Sequence, residues 1–218
     1  MRGVLVANGP VSDVPAARLR AAVAAAEFVV GIDGGTRTLL QLGLVPTHVT
    51  GDFDSLGEEE RAMLTAQGVA VHPTPDQDFT DLDKALAFSF HTLDADSVAV
   101  FGATGGRLDH TYSVLSTLVK YGRDHHLYLV DGFGETFALD QGGTLVLDEP
   151  DLVGRKLSLM ALGPVDGITT TGLRWPLSSE SLAPGIRDGT LNEIVAETVT
   201  ITHGSGDLLV MLHHAGDE

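Results

Sequence analysis

His48-Val49-Thr50-Gly51-Asp52-Phe53-Asp54-Ser55 decides how the chain folds. A short, β-branched apolar run ends in a glycine and two carboxylates set two residues apart. If the run is a strand, Asp52 and Asp54 lie at or just past its carboxyl end, and Gly51 lets the backbone bend or approach a ligand closely. In an open α/β sheet, ligands sit in the crevice beyond the strand ends. Hard divalent cations want oxygen ligands of this kind, and Mg²⁺ usually takes one or two carboxylates together with substrate phosphates. The bland alternative is an acidic turn, because Asp, Gly and Ser are ordinary turn residues.

Working outward, the same alternation of short apolar runs and helical stretches continues on both sides. Upstream, Val4-Leu5-Val6-Ala7 is closed by Asn8-Gly9-Pro10, Pro15 to Ala26 reads as a helix, and Phe28 to Ile32 is a strand ending at Asp33-Gly34-Gly35. Thr38 to Leu44 reads as a short helix. Downstream, Glu58 to Gln67 is a helix with acids in its first turn, as the helix dipole favours, and Val69 to Val71 is a strand. Thr80 and Asp83 match a capping box, so a helix starts there with Leu82, Leu86, Phe90 and Leu93 as its apolar stripe. Val98 to Phe101 is a strand. A helix follows with Leu108, Tyr112, Leu115 and Val119 on one side, and Leu127 to Val130 is a strand. This pattern predicts an α/β domain with a doubly wound, mostly parallel sheet.

From about Gly132 the helical stripes stop. Leu145 to Leu147, Lys156 to Leu162, Glu197 to Thr202 and Leu208 to His213 are short strand candidates separated by Gly, Thr and Pro. They predict an all-β second domain, a sandwich. The boundary falls between Gly132 and Gly143; we place the α/β domain at 1–135 and the sandwich at 136–218.

Composition narrows the function. Thirteen basic against thirty acidic residues give a formal charge of −17. That argues against nucleic acid or an anionic membrane as partner, because both need a basic face. An enzyme of this charge that handles phosphates needs metal and a few well-placed cations. The absence of Cys excludes disulfides, thiolate catalysis and cysteine-bound metal, in keeping with a reducing cytosol. The apolar run after Met1-Arg2 is cut off by Asn8-Gly9-Pro10 too early for a signal-peptide core, and no stretch has the length of a membrane span. The expectation is a cytoplasmic protein.

Four loops share one character: Asp33-Gly34-Gly35, Gly51 to Ser55, Gln77 to Lys84 and Gly105 to His110. Each follows a predicted strand, so in a parallel sheet all four emerge at one edge. Carboxylates about 4 Å apart repel by about 4 kcal/mol at an effective dielectric near 20. The cluster therefore makes sense with a cation in the working state, or with some acids protonated or spread apart.

Taken together, Asp33-Gly34-Gly35, Gly51-Asp52-Phe53-Asp54-Ser55, Gln77 with Thr80-Asp81 and Lys84, and Gly102-Ala103 with Gly105-Gly106-Arg107-Leu108-Asp109-His110 resemble the thiamine pyrophosphokinases in order and spacing. The resemblance implies an α/β nucleotide domain followed by a β-sandwich. It implies Mg²⁺-dependent transfer of a pyrophosphoryl group from ATP to the hydroxyl of thiamine, giving thiamine diphosphate and AMP, in a homodimer. By the same resemblance Asp52, Asp54 and Asp81 bind or orient Mg²⁺ and the attacking hydroxyl, and Asp109 joins them in catalysis. Arg107 and Lys84 neutralise phosphate charge, Gln77 and Thr80 donate hydrogen bonds to it, and Asp33, Gly34, Ser55 and His110 belong to the nucleotide side. Thr171 to Leu177 and Gly189 to Glu193 resemble thiamine-side segments, with Trp175 and Asn192 as the contacts. Leu191 stands where the family usually carries Ser, which removes a hydroxyl from that pocket.

Each residue also has a plainer reading. Asp81 and Asp109 are first-turn acids of helices, Gly105-Gly106 a turn, Arg107 a surface residue paired with a neighbouring Asp, and Trp175 either a stacking platform or a sandwich core residue. Three rivals stay open at this point: a pyrophosphokinase for another alcohol such as a hydroxymethylpterin, a non-catalytic nucleotide or thiamine sensor, and a Mg²⁺ phosphatase. The nine histidines show no zinc spacing, and no G-x-x-x-x-G-K-[ST] loop exists.

Overall fold

The structure is a computed structural model that describes residues 1–10, 14–51, 56–74, 76 and 78–215. The chain separates into two compact units, Met1–Thr117 with His125–Gly132, and Leu118–Asp124 with Phe133–Glu218. Among the described residues no helix is long and apolar enough to cross a membrane.

The first unit alternates strand and helix: β1 (Arg2–Val6), α1 (Ala16–Ala25), β2 (Phe28–Ile32), α2 (Gly34–Gln41), β3 (His48–Gly51), α3 (Glu58–Ala66), β4 (Ala70–Pro73), α4 (Asp81–Ala87), a π-helical turn Phe88–Thr92, β5 (Ser97–Phe101), α5 (Leu108–Gly122, of which Leu118 onward belongs to the second unit) and β6 (His126–Val130). Its six strands are parallel and lie in the order β6-β5-β1-β2-β3-β4. Central strands buried on both faces need uninterrupted apolar runs. β2 is buried at all five positions, Phe28 to Ile32. The order reverses between β1 and β5, so those two neighbours form the topological switch point.

Helix ends follow local chemistry. Thr80 caps α4, its hydroxyl accepting from the Asp83 amide at 3.2 Å. Glu60 reaches back to the Gly57 amide at 3.0 Å and pairs with Arg37 at 2.8 Å, fixing the start of α3. α2 begins at Gly34 rather than Thr38. Its two glycines are the first turn, because a side chain at Gly34 would strike Asn8 and one at Gly35 would strike Val6 at the end of β1. It ends in a Schellman motif: Gly43, at φ 70°, donates to Leu40 and Leu44 donates to Leu39, both at 2.9 Å.

Under α4 and the π turn, His48 and His72 meet ring to ring at 3.1 Å between Nδ1 and Nε2, with Phe88 against both. Burial, then the neighbouring His72, holds His48 below the usual imidazole value.

The expected apolar stripe of α5 is corrected at its first half. Leu108 is 84% exposed and Tyr112 66%, whereas Leu118, Val119 and Tyr121 are buried. The first turns of α5 border an open cleft, so apolar packing begins only beyond it.

The second unit is a β-sandwich. It contains β7 (Gly134–Leu139), β8 (Thr144–Leu147), β9 (Lys156–Ala161), β10 (Val165–Thr171), β11 (Glu180–Leu182), β12 (Gly189–Glu193), β13 (Val199–Thr202) and β14 (Leu208–His213). One layer runs β12-β9-β14-β7 and the other β11-β10-β13-β8, all antiparallel. Leu157, Leu159, Leu208 and Val210 of the first layer and Val165, Ile168, Val199 and Ile201 of the second share one core. β7, β10, β11 and β12 were not expected. Glycine, threonine and acids interrupt their apolar pattern, and partners distant in the chain supply their pairing.

Candidate active site

Two loops at the switch point run side by side. The Ala7 amide donates to Phe101 at 2.8 Å and the Gly9 amide to Gly102 at 2.6 Å. A Cβ on Gly9 would lie 2.3 Å from the Gly102 carbonyl oxygen, so only glycine allows this approach. Next to them, a Cβ on Gly34 would meet Asn8 Oδ1 at 2.0 Å, and one on Gly35 would meet the Val6 carbonyl oxygen at 1.9 Å. The carboxyl ends of β1, β2 and β5 are thus packed backbone to backbone.

Above this floor lies a cleft of about 580 Å³, within the range of small-molecule sites. Its walls come from four places: Asn8, Gly9 and Pro10 after β1; Asp33 after β2; Thr80 and Asp81 at the start of α4; and Gly102 to Thr104 with Gly106, Arg107, His110 and Thr111 around the start of α5. The loops expected after β2, before α4 and before α5 do meet at one rim. Asp52, Asp54, Ser55 and Gln77 lie outside the described residues. Among those described, no three His, Asp or Glu side chains are close enough together to hold a metal ion.

Asp33 is strained. It takes φ 45° and ψ −119°, a region that non-glycine residues rarely occupy. Such strain concentrates at functional sites. Its carboxylate occupies the space that a side chain at Gly51 would fill: a Cβ there would lie 1.7 Å from Asp33 Oδ1. Gly51 is itself at φ 145°, so glycine is required on both counts. Gly34 lies behind Asp33, against Asn8, and is not part of the cleft wall.

Asp81 opens α4 with its side chain 38% exposed, and Lys84 Nζ sits 2.7 Å from its Oδ1. Lys84 does not line the cleft. Its other contacts are the Thr74 and Asp76 carbonyl oxygens, at 2.9 and 2.8 Å. Arg107 is on the cleft wall and grips Asp109 with both ends of its fork, Nε to Oδ1 at 3.0 Å and Nη2 to Oδ2 at 2.5 Å. That bond holds the Arg107 guanidinium above its usual value. The same bond holds the Asp109 carboxyl below the usual carboxylate value against desolvation, with the His110 amide adding to it. Both side chains are largely exposed, so the pair adds little stability, and a polyphosphate can compete for Arg107. Asp109 faces its arginine and is not on the cleft wall.

Asn8, Gly9 and Pro10 were read only as the stop of a strand. Their place after the first strand of a parallel sheet was the available signal, the same one that singled out the four counted loops.

In the sandwich unit, Trp175 is 57% exposed and not a core residue, which overturns that alternative. The Arg174 guanidinium lies 5.8 Å from its ring. Asn192 is spent on backbone. Its Oδ1 accepts from the Trp175 and Glu193 amides at 3.1 and 2.9 Å, and its Nδ2 donates to the Trp175 carbonyl at 2.7 Å. Asn192 therefore fixes the backbone that presents Trp175. Leu191, beside it, is exposed at φ 57°, its amide donating to Ser158 Oγ at 3.0 Å across the β12–β9 irregularity.

Comparison with known proteins gives a consistent result. Residues 19–130 match the family described as thiamin pyrophosphokinase, catalytic domain, and residues 144–208 match thiamin pyrophosphokinase, vitamin B1 binding domain. The thiamine pyrophosphokinase of Bacillus subtilis (strain 168) is 30% identical over 185 residues, 84% of this chain and 85% of that protein. The crystal structure of the Bacillus subtilis thiamine pyrophosphokinase superposes with a TM-score of 0.83 at 27% identity, covering 99% of this chain and all of that one, 100%. That of the thiamin pyrophosphokinase from Geobacillus thermodenitrificans gives 0.83 at 29%, covering 100% and 99%. The chain belongs to the thiamine pyrophosphokinase family.

Proposed function

We propose that this chain transfers the pyrophosphoryl group of ATP to the hydroxyl of thiamine, giving thiamine diphosphate and AMP. The observation that carries the reading is the cleft at the β1/β5 switch point, where Asp81, Arg107 and close-packed backbone loops converge in a chain of this family. The thiamine oxygen attacks the β-phosphorus, the bond from that phosphorus to the α,β-bridging oxygen breaks, and AMP leaves with the oxygen. The hydroxyl proton passes to a carboxylate or to water. Little covalent chemistry falls to the protein, whose work is alignment and charge stabilisation.

Mg²⁺ is the cofactor we assign. The donor set fits a hard cation, since Asp81 offers oxygen only, as do the side chains of Asp52 and Asp54 in the sequence. When bound, the ion neutralises charge on the phosphates. Arg107 would exchange Asp109 for phosphate, while Thr80 and His110 donate to phosphate oxygens. Asp33 and the Asn8 to Pro10 loop hold the nucleotide. We assign nucleotide and metal binding to 1–135 and thiamine binding to 136–218, where Trp175 would stack on a cationic or aromatic ring. The working form we propose is a cytoplasmic homodimer. Exposed apolar side chains such as Leu108, Tyr112 and Leu191 are the kind that association covers.

The test is to incubate the protein with ATP, Mg²⁺ and thiamine and identify the products by mass. AMP and thiamine diphosphate in equal amounts are expected. ADP, orthophosphate or thiamine monophosphate as the product would contradict the reading.

A further inference from the structure

An ammonium carries three N–H donors and no acceptor. Lys84 donates to the Thr74 carbonyl at 2.9 Å and the Asp76 carbonyl at 2.8 Å, and forms an ion pair with the Asp81 carboxylate at 2.7 Å. Its side chain is only 12% exposed. A charge that far out of water persists when it is both paired and hydrogen-bonded, and this one is. Thr80, Asp81 and Leu82 line the cleft, but Lys84 lies behind them. The network continues past it. The Thr74 amide donates to the Gly51 carbonyl at 2.9 Å, and the Asp33 amide to the Thr50 carbonyl at 3.0 Å. One cation therefore ties the start of α4 to the loop after β4, and through that loop to the end of β3. The start of α4 carries Asp81, which lines the cleft.

We propose that Lys84 is a positioning residue that sets Asp81 and the loop after β4 for the transfer, and that it does not bind phosphate. The proposal rests on the reaction assigned above. An internal cation beside Asp81 offsets part of its repulsion with other anionic groups before any substrate arrives. It also fixes which oxygen of Asp81 faces away from the cleft. Preorganisation of this kind speeds the chemical step more than it tightens ground-state binding. Phosphate recognition is left to Arg107, the exposed cation on the cleft wall.

Two variants separate positioning from phosphate binding. Lys84→Met keeps the stem and removes the charge. Lys84→Arg keeps the charge but replaces a compact three-way donor with a planar fork. Both are measured for kcat and KM for ATP, for ATP affinity by calorimetry in EDTA, and for amide hydrogen exchange at Thr74. For Lys84→Met, kcat falls on the order of 10²-fold, the scale of a misplaced reacting group. KM for ATP and the metal-free affinity change by less than about threefold, because nothing that touches the nucleotide is removed. Lys84→Arg follows the same split with a loss on the order of tenfold, which a phosphate-binding role would not give because the charge is kept. Thr74 exchange rises in both.

A Lys84→Met protein that binds metal-free ATP at least about tenfold more weakly with kcat unchanged would overturn the proposal, since that is the signature of uniform binding. So would an unchanged kcat in both variants, or unchanged Thr74 exchange. If Lys84→Met does not fold, Lys84→Arg carries every readout. If wild-type protein does not make thiamine diphosphate, the reaction reading fails on its own, and Thr74 exchange still decides whether Lys84 holds the loop.

Discussion

Asp81→Asn is expected to lower kcat by on the order of 10²- to 10³-fold, the usual cost of removing one preorganised charge from a transition-state site. The substitution is close to isosteric. The amide oxygen still accepts from Lys84, Thr80 still caps α4, and the side chain is partly solvated. Tm should therefore move by only a few degrees, the shift that about 1 kcal/mol produces in a chain of this size. Steady-state rates and a melting curve on the same sample check both halves. A variant with native kcat would remove Asp81 from the site. One that loses rate only because it unfolds would leave its role structural.

Gly35→Ala carries the largest expected effect on stability. The added methyl would fall 1.9 Å from the Val6 carbonyl oxygen, 2.6 Å from its carbon and 2.9 Å from the Ala7 carbonyl carbon. All of these are backbone atoms at the end of the first strand, so no side chain can turn aside. α2 must retreat from β1, and overpacking of this kind costs about 3 kcal/mol, the upper part of the usual range. Urea unfolding followed through the first unit reads the loss directly. Ala7 borders the cleft, so ATP affinity should fall with stability. A Gly35→Ala protein as stable as the parent would mean that α2 and β1 do not approach as closely as described.

Particular elements show what the amino-acid order could reveal. β2 and β14 were readable to the residue, because uninterrupted apolar runs bounded by polar turns leave few alternatives. The start of α4 was readable because Thr80 and Asp83 announce a cap. α2 was displaced because Gly34 and Gly35 look like helix breakers, whereas here they are the price of contact with β1. The β1–β5 adjacency was not readable, since pairing between residues about a hundred positions apart leaves no local mark, and with it went the switch point that locates the cleft. Residue types and order anticipated that Asp33, Thr80, Asp81, Arg107 and His110 would come to one rim, and they line one cleft. They did not reveal partners. The partners of Lys84 were not readable, because two of them are backbone carbonyls of the preceding loop, which no side-chain pattern encodes. The backbone partners of Asn192 were hidden for the same reason. The pairing of Arg107 with a neighbouring Asp was among the plainer readings, and their two-residue spacing at a helix start lets Arg107 and Asp109 bind each other.

The central claim is that nucleotide and metal meet at the carboxyl rim of the parallel sheet, over the β1/β5 switch point. The most direct test is paramagnetic broadening of backbone amide signals by Mn²⁺ in the presence of an ATP analogue with a methylene group between its α- and β-phosphates. The account predicts loss of signal at Asp33, Asp81, Thr104 and Arg107, with Arg2, Glu27 and Ser97 at the opposite edge of the same sheet unaffected. Broadening centred on that opposite edge, or none at the carboxyl rim at saturating analogue, would contradict it.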